Sequence, residues 1–137
     1  VLSCICRRVR HSAMDLLDGA YFLHYSTDPM HLKKIWRGIK VFNEGSNHDG
    51  VYYLIPIKVV SARYQGYKGT KWVYEVLVGE SECPRGTVAA SELSQDKCTL
   101  KEGNRWLYKI FLYENFEGNF EKFLVGKGRS VAATEQF

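Results

Sequence analysis

Apolar residues recur along this chain with two periods, and the change between them marks its layout. Asp28-Pro29 is a helix-start signal, a side-chain acceptor at the cap followed by proline at the first helical position. Leu32, Ile35, Trp36, Ile39 and Phe42 then fall at helical spacing and predict one amphipathic helix from residue 29 to about 42. Lys33, Lys34, Arg37 and Lys40 lie mostly off that stripe and read as a solvated face. The polar stretch Asn43-Glu44-Gly45-Ser46-Asn47-His48-Asp49-Gly50 ends the helix. Upstream, residues 12–29 show little periodicity and read as an extended lead-in with Gly19 as its flexible point.

From Val51 the period becomes two. Val51 to Arg63 is a long strand candidate in which Pro56 requires a bulge or an edge, because proline cannot donate to a ladder. Thr70 to about Gly79 is a second strand, with Trp72, Tyr74, Val76 and Val78 on one face and Lys71, Val73, Glu75 and Leu77 on the other. Between them Tyr64-Gln65-Gly66-Tyr67-Lys68-Gly69 reads as a hairpin tip. Residues 80–104 are polar and loop-like. Arg105 to Tyr113 is a third strand, Glu114 to Asn119 a second turn with Phe116 near its tip, and Phe120 to Val125 a fourth strand. Consecutive strands joined by short turns pair antiparallel. The expected architecture is α+β, one helix packed across a four- to five-stranded antiparallel sheet.

The 137 residues suit one domain with its own core. Residues 1–16 are expected to be a disordered arm or a signal-peptide remnant, 17–125 the domain, and 126–137 a flexible tail. Of the net charge of +4, Arg7, Arg8 and Arg10 supply most, so the remainder is near balance. That argues against nucleic acid as a partner. No apolar run reaches the roughly 18 residues that span a bilayer, and no membrane partner is expected. His11, His24, His31 and His48 are scattered and form no nucleophile–base–orienter set, so the chain is expected not to be an enzyme. Cys4-Ile5-Cys6 lacks a second pair for zinc, and neither metal nor cofactor is expected. Cys83 and Cys98 would close a ring of about 15 residues if oxidised, contributing roughly 3 kcal/mol.

These elements carry specific residues in a specific order. The lead-in glycine, the helix with its Asn-containing loop, Val59-Val60-Ser61-Ala62, Gln65-x-x-x-Gly69 and Val78-Gly79-Glu80-Ser81-Glu82-Cys83 precede a second aromatic hairpin. Together they resemble the cystatins, and most of all the secreted type 2-like cystatins of roundworms. Leu54 to Val60, Leu77 to Ser81, Val88-Ala89-Ala90 and Asn119-Phe120-Glu121 have counterparts there. The resemblance implies a reversible inhibitor of papain-like (cathepsin-type) cysteine proteases that fills the active-site cleft with three elements. Carried over, these are Gly19 in the N-terminal segment, the first loop Gln65, Gly66, Tyr67, Lys68 and Gly69, and Phe116 with Glu117 in the second loop. It implies a Cys83–Cys98 disulfide and hence secretion into an oxidising compartment. Asn47 stands at the place some cystatins use against legumain-type proteases. A monomer is expected, with domain swapping at the first loop as the alternative.

The chain also departs from the family pattern. Tyr67 replaces the central valine of the first loop, Gly66 and Lys68 replace small apolar residues, and Phe116-Glu117 takes the Pro-Trp place. A charged group desolvated in a cleft is costly unless paired. The competing reading is therefore a non-inhibitory or retargeted cystatin-fold binding protein.

Overall fold

The computed structural model describes residues 20–44, 50–66 and 68–137. Gly19, Asn47, Tyr67 and the arm bearing Cys4 and Cys6 lie outside the described residues. A short strand β1 (Phe22–His24) leads into helix α1 (Pro29–Arg37) and a further turn and a half, α2 (Ile39–Glu44). The strands β2 (Tyr52–Gly66), β3 (Thr70–Pro84), β4 (Leu100–Glu114), β5 (Glu121–Val125) and β6 (Arg129–Val131) follow, with one 3-10 turn at Ala90–Glu92. The strands form one antiparallel sheet in the order β1-β2-β3-β4-β5, with β6 attached to β4. This is the expected α+β architecture, with more strand than the hydrophobic pattern indicated.

The cap reads as its sequence does. The Met30 amide donates to the Asp28 carboxylate at 3.0 Å, and Pro29 opens the first turn. The single helix expected to run to residue 42 is broken at Gly38. A Cβ at that position would lie 2.6 Å from the Phe123 ring of β5, so only glycine lets the sheet edge press against the helix there. The apolar stripe is the buried one: Ile35, Ile39 and Phe42 sink into the sheet, while Leu32 and Trp36 flank it. On the sheet side, Trp72, Tyr74, Val76 and Val78 meet them, one side of β3 as the alternation requires. The ladder between β2 and β3 shifts register at Pro56/Lys58, where proline withholds its donor.

Two long-range effects lengthen the sheet. β4 has fifteen residues and β5 only five, which leaves the first part of the β4 edge open. Arg129–Val131 pairs with Arg105–Leu107 along it, so the stretch 126–137 contains a strand. Cys83 and Cys98 are disulfide-bonded, with Cys98 fully buried, and Glu82 donates to the Thr99 carbonyl at 2.9 Å. The bond anchors the connection between β3 and β4, so strand pairing extends into what reads as a polar loop. Opening the bond with reductant should lower the stability by about 3 kcal/mol for a loop of 15 residues, read as a fall in the urea midpoint.

Asn43 joins the helix to the sheet. Its amide nitrogen donates to the Ile39 and Leu54 carbonyls at 3.0 and 3.2 Å, and its oxygen accepts from the Leu54 amide at 2.7 Å. Leu54 is fully buried, so no water can replace these bonds. Asn43→Ala should cost about 2–3 kcal/mol by urea denaturation, because it orphans buried backbone groups.

Candidate functional site

The two hairpin tips form one unit. β2 and β3 remain paired up to Gly66↔Thr70, and Thr70 is in turn opposite Glu114 at the end of β4. The first tip thus rests against the root of the second. Lys68 and Gly69 turn the chain with φ of 52° and 133°. A side chain at Gly69 would be driven into the Glu114 carbonyl oxygen, and its Cβ would lie 3.1 Å from the Asn115 Cα. Glycine here meets both demands at once, left-handed backbone and close approach. Tyr113 closes the seam by donating its hydroxyl to the Lys68 carbonyl at 3.0 Å.

The second tip is shaped by its own asparagines. The Asn115 side-chain oxygen accepts from the Asn119 and Phe120 amides, both at 3.2 Å, and its nitrogen donates to Asn119 at 2.7 Å. An asparagine that bonds backbone a few residues on makes a turn without help from the core. Phe116 and Glu117 are left on the outside of this turn, Phe116 being 78% exposed. The Phe120 ring meets Tyr113 edge-on at 6.3 Å.

Glu114 ties this end to the helix. One carboxylate oxygen accepts from the Lys34 ammonium at 2.6 Å and from the Trp72 indole at 2.8 Å, and Lys34 lies 4.7 Å over the Trp72 ring. Lys34, expected on a solvated face, is therefore half-buried and engaged. Arg37, expected there too, binds Glu121 at the start of β5, donating from Nε and one terminal nitrogen to the two carboxylate oxygens. Sequence spacing does not reveal these pairs, since about eighty residues separate each cation from its acid.

The lead-in arrives at the same end. Phe22 pairs with Tyr64, one residue before Gln65, so Ala20 and Tyr21 lie on the side of the tips. His24 of β1 and His31 of α1 meet with Nδ1 and Nε2 2.8 Å apart, and His31 Nδ1 is 2.9 Å from the Tyr74 hydroxyl. His31 is fully buried against Trp72 and Tyr74. Burial, with the His24 charge beside it, holds His31 below the ordinary histidine value, and burial pushes the Tyr74 phenol up. The histidines that seem scattered in sequence are thus partly gathered, and only a contact across the fold could gather them.

Gln65, Gly66, Lys68 and Gly69 are together in the first tip, with Phe116 and Glu117 in the neighbouring one. Glu114, Tyr113 and the histidine pair support them and carry no signal in the local sequence. Among the described residues no group of three or more His, Cys, Asp or Glu could hold a metal ion. No helix among them is long and apolar enough to cross a membrane.

A helix wrapped by an antiparallel sheet, with two braced tips and an extended lead-in at one end, defines a rigid loop-presenting domain. Solved structures of this fold include that of Al-CPI, which is 23% identical with a TM-score of 0.66 over 82% of this chain and all of that one. Dimeric human cystatin F is 15% identical with a TM-score of 0.67, covering 84% of this chain and 90% of that one. Mialostatin, a gut cystatin from the hard tick Ixodes ricinus, is 14% identical with a TM-score of 0.61 over 84% of this chain and all of that one. No family profile matches the sequence. Over 103 residues, however, it is 43% identical to cystatin cpi-1 of Caenorhabditis elegans, covering 74% of this chain and 73% of that protein. The chain belongs to the cystatin family, whose members are inhibitors rather than enzymes, and cysteine proteases are its implied partners.

Gly69→Ala should cost about 1–3 kcal/mol, because the left-handed backbone and the Glu114 carbonyl both oppose a Cβ. Urea denaturation measures the loss. Loss of protection of the Thr70 amide in hydrogen exchange would show that it is local to the seam.

Proposed function

We propose that this chain is a secreted, monomeric inhibitor that closes the active-site cleft of papain-like, cathepsin-type cysteine proteases. The contact is made by the N-terminal segment around Gly19, the first tip Gln65–Gly69, and Phe116 with Glu117. The observation that carries this reading is the seam between the tips. Gly69 against Glu114, and Tyr113 on the Lys68 carbonyl, brace two loops as one edge. A braced edge binds without a large ordering cost. Phe116 offers an aromatic anchor with few rotors. The Cys83–Cys98 bond is consistent with an oxidising, extracellular setting.

The second reading is retargeting of the same edge. It is favoured by the exposed Lys68 and Glu117, which put opposite charges where an apolar cleft would have to desolvate them. Asn47 supports a legumain-type protease as a further target on its sequence position alone.

An inhibition panel of papain-like and legumain-type proteases separates these readings. Reversible inhibition of a papain-like enzyme at nanomolar concentration is expected. Phe116→Ala should weaken it about tenfold, the loss of one anchor at roughly 1.4 kcal/mol. Absence of inhibition at micromolar concentration would overturn the papain-like reading and leave the retargeted one.

A further inference from the structure

The contact between β1 and the body is thin, with as few paired residues as β6 has. Only Phe22, Leu23 and His24 are paired, and Leu23 points outward and is 81% exposed. Phe22 is half exposed beside Tyr64, with ring centroids 5.7 Å apart. The buried end of β1 is His24, set edge-on to His31 and Trp72 and bonded to His31 at 2.8 Å. Besides its three ladder pairs and the rings of Tyr64 and Trp72, the lead-in is thus held through one histidine pair.

Two nitrogens 2.8 Å apart need one proton between them. When both rings are neutral, either ring donates and Tyr74 completes the chain from the other side of His31. One added proton is tolerated, since a charged His24 can still donate to His31. A second leaves both facing nitrogens as N–H donors, with two positive charges at contact distance, and the bond cannot survive. We propose that His24 and His31 are the positioning residues of the N-terminal limb, and that they hold it on the sheet only while at most one of them is protonated. The proposal rests on the cleft-blocking reading, in which that limb is one of three contacts.

The charged and titratable surroundings set the direction of the response. His31 faces Tyr74 and Trp72 from β3, His24 from β1, and Asp28 and Lys34 from its own helix and cap. His24 faces Tyr64 from β2, Trp72 from β3 and the neighbouring Tyr25. Burial is the largest effect and opposes a charged His31, as do His24 and Lys34, whereas Asp28 and the Tyr25 backbone favour it. Glu114 lies beyond Trp72, where Lys34 already engages it. A histidine held below its ordinary value of about 6.5 gives stability that is complete above that pH and lost as pH falls through the lowered value. Release of the limb is therefore an acid-side event. Such an inhibitor would bind tightly near neutrality and loosen in an acidified compartment.

Two measurements on the full chain test this. In the free protein, NMR contacts between the Phe22 and Tyr64 rings are followed from about pH 7.5 to about pH 5. Their loss as the second ring takes up its proton is expected, and their persistence once the ring resonances show both histidines protonated would overturn the latch. In parallel, the inhibition constant for a papain-like protease is measured at both pH values, and the ratio of the two is compared between proteins. The wild-type ratio should exceed that of His24→Phe, which keeps the ring packing and removes one charge, by about tenfold. His24→Gln, an uncharged partner for His31, should behave like the phenylalanine variant and serves if that variant folds poorly. Equal ratios in all three proteins would refute the link between the histidine pair and binding. Absence of inhibition at every pH would refute the cleft-blocking reading instead, and the ring contacts would still decide whether the latch exists.

Discussion

The Glu114 carboxylate is the point at which the helix, both hairpins and the core are held in one frame. Its oxygen accepts hydrogen bonds from Lys34 of the helix and Trp72 of β3, and its backbone ends β4 against Gly69 of the first tip. A charged hydrogen bond shielded from water is stronger and more directional than a surface ion pair. Without it, the helix could shift along the sheet while the core stayed apolar, and the tips would lose their common base. Rigid presentation of loops is what a cleft-filling inhibitor requires, so this contact links the packing of the domain to its function.

The rest of the frame follows from the same demand. The helix breaks at Gly38 so that Phe123 of the short edge strand can press in. Asn43 then fastens the far end of the helix to Leu54 through three hydrogen bonds. Arg37 on Glu121 and Lys34 on Glu114 place the helix laterally. By contrast, the lead-in strand has only three paired residues and a histidine pair to hold it. The lead-in is thus attached through a short strand and two titratable rings, whereas the two hairpin tips are built into the sheet.

Much of this was legible in the residues. The Asp28-Pro29 cap, the Ile35–Ile39–Phe42 stripe and the alternation through Trp72 to Val78 are local patterns, and each landed on the expected face. The exposure of Phe116 also followed from its place in a polar turn. The strand lengths did not, because β3 and β4 extend through polar residues such as Glu80 and Glu102, whose pairing depends on a partner strand and a disulfide far along the chain. β6 exists because an unequal neighbour left an edge open, which no window of the sequence around Arg129 records.

Read alone, the sequence determined the periods, the caps and turns, and a set of motifs in cystatin order. Those are properties of neighbours, and neighbours fix helix, strand and hairpin. Only the tertiary structure decided that Lys34 and Glu114 share a part-buried contact, that Gly69 has no room for a side chain, and that His24 and His31 face each other. Each of those depends on distance through space between residues on different elements. The physical reason is that burial and proximity, which set hydrogen bonding and protonation, come into being only when the helix closes on the sheet.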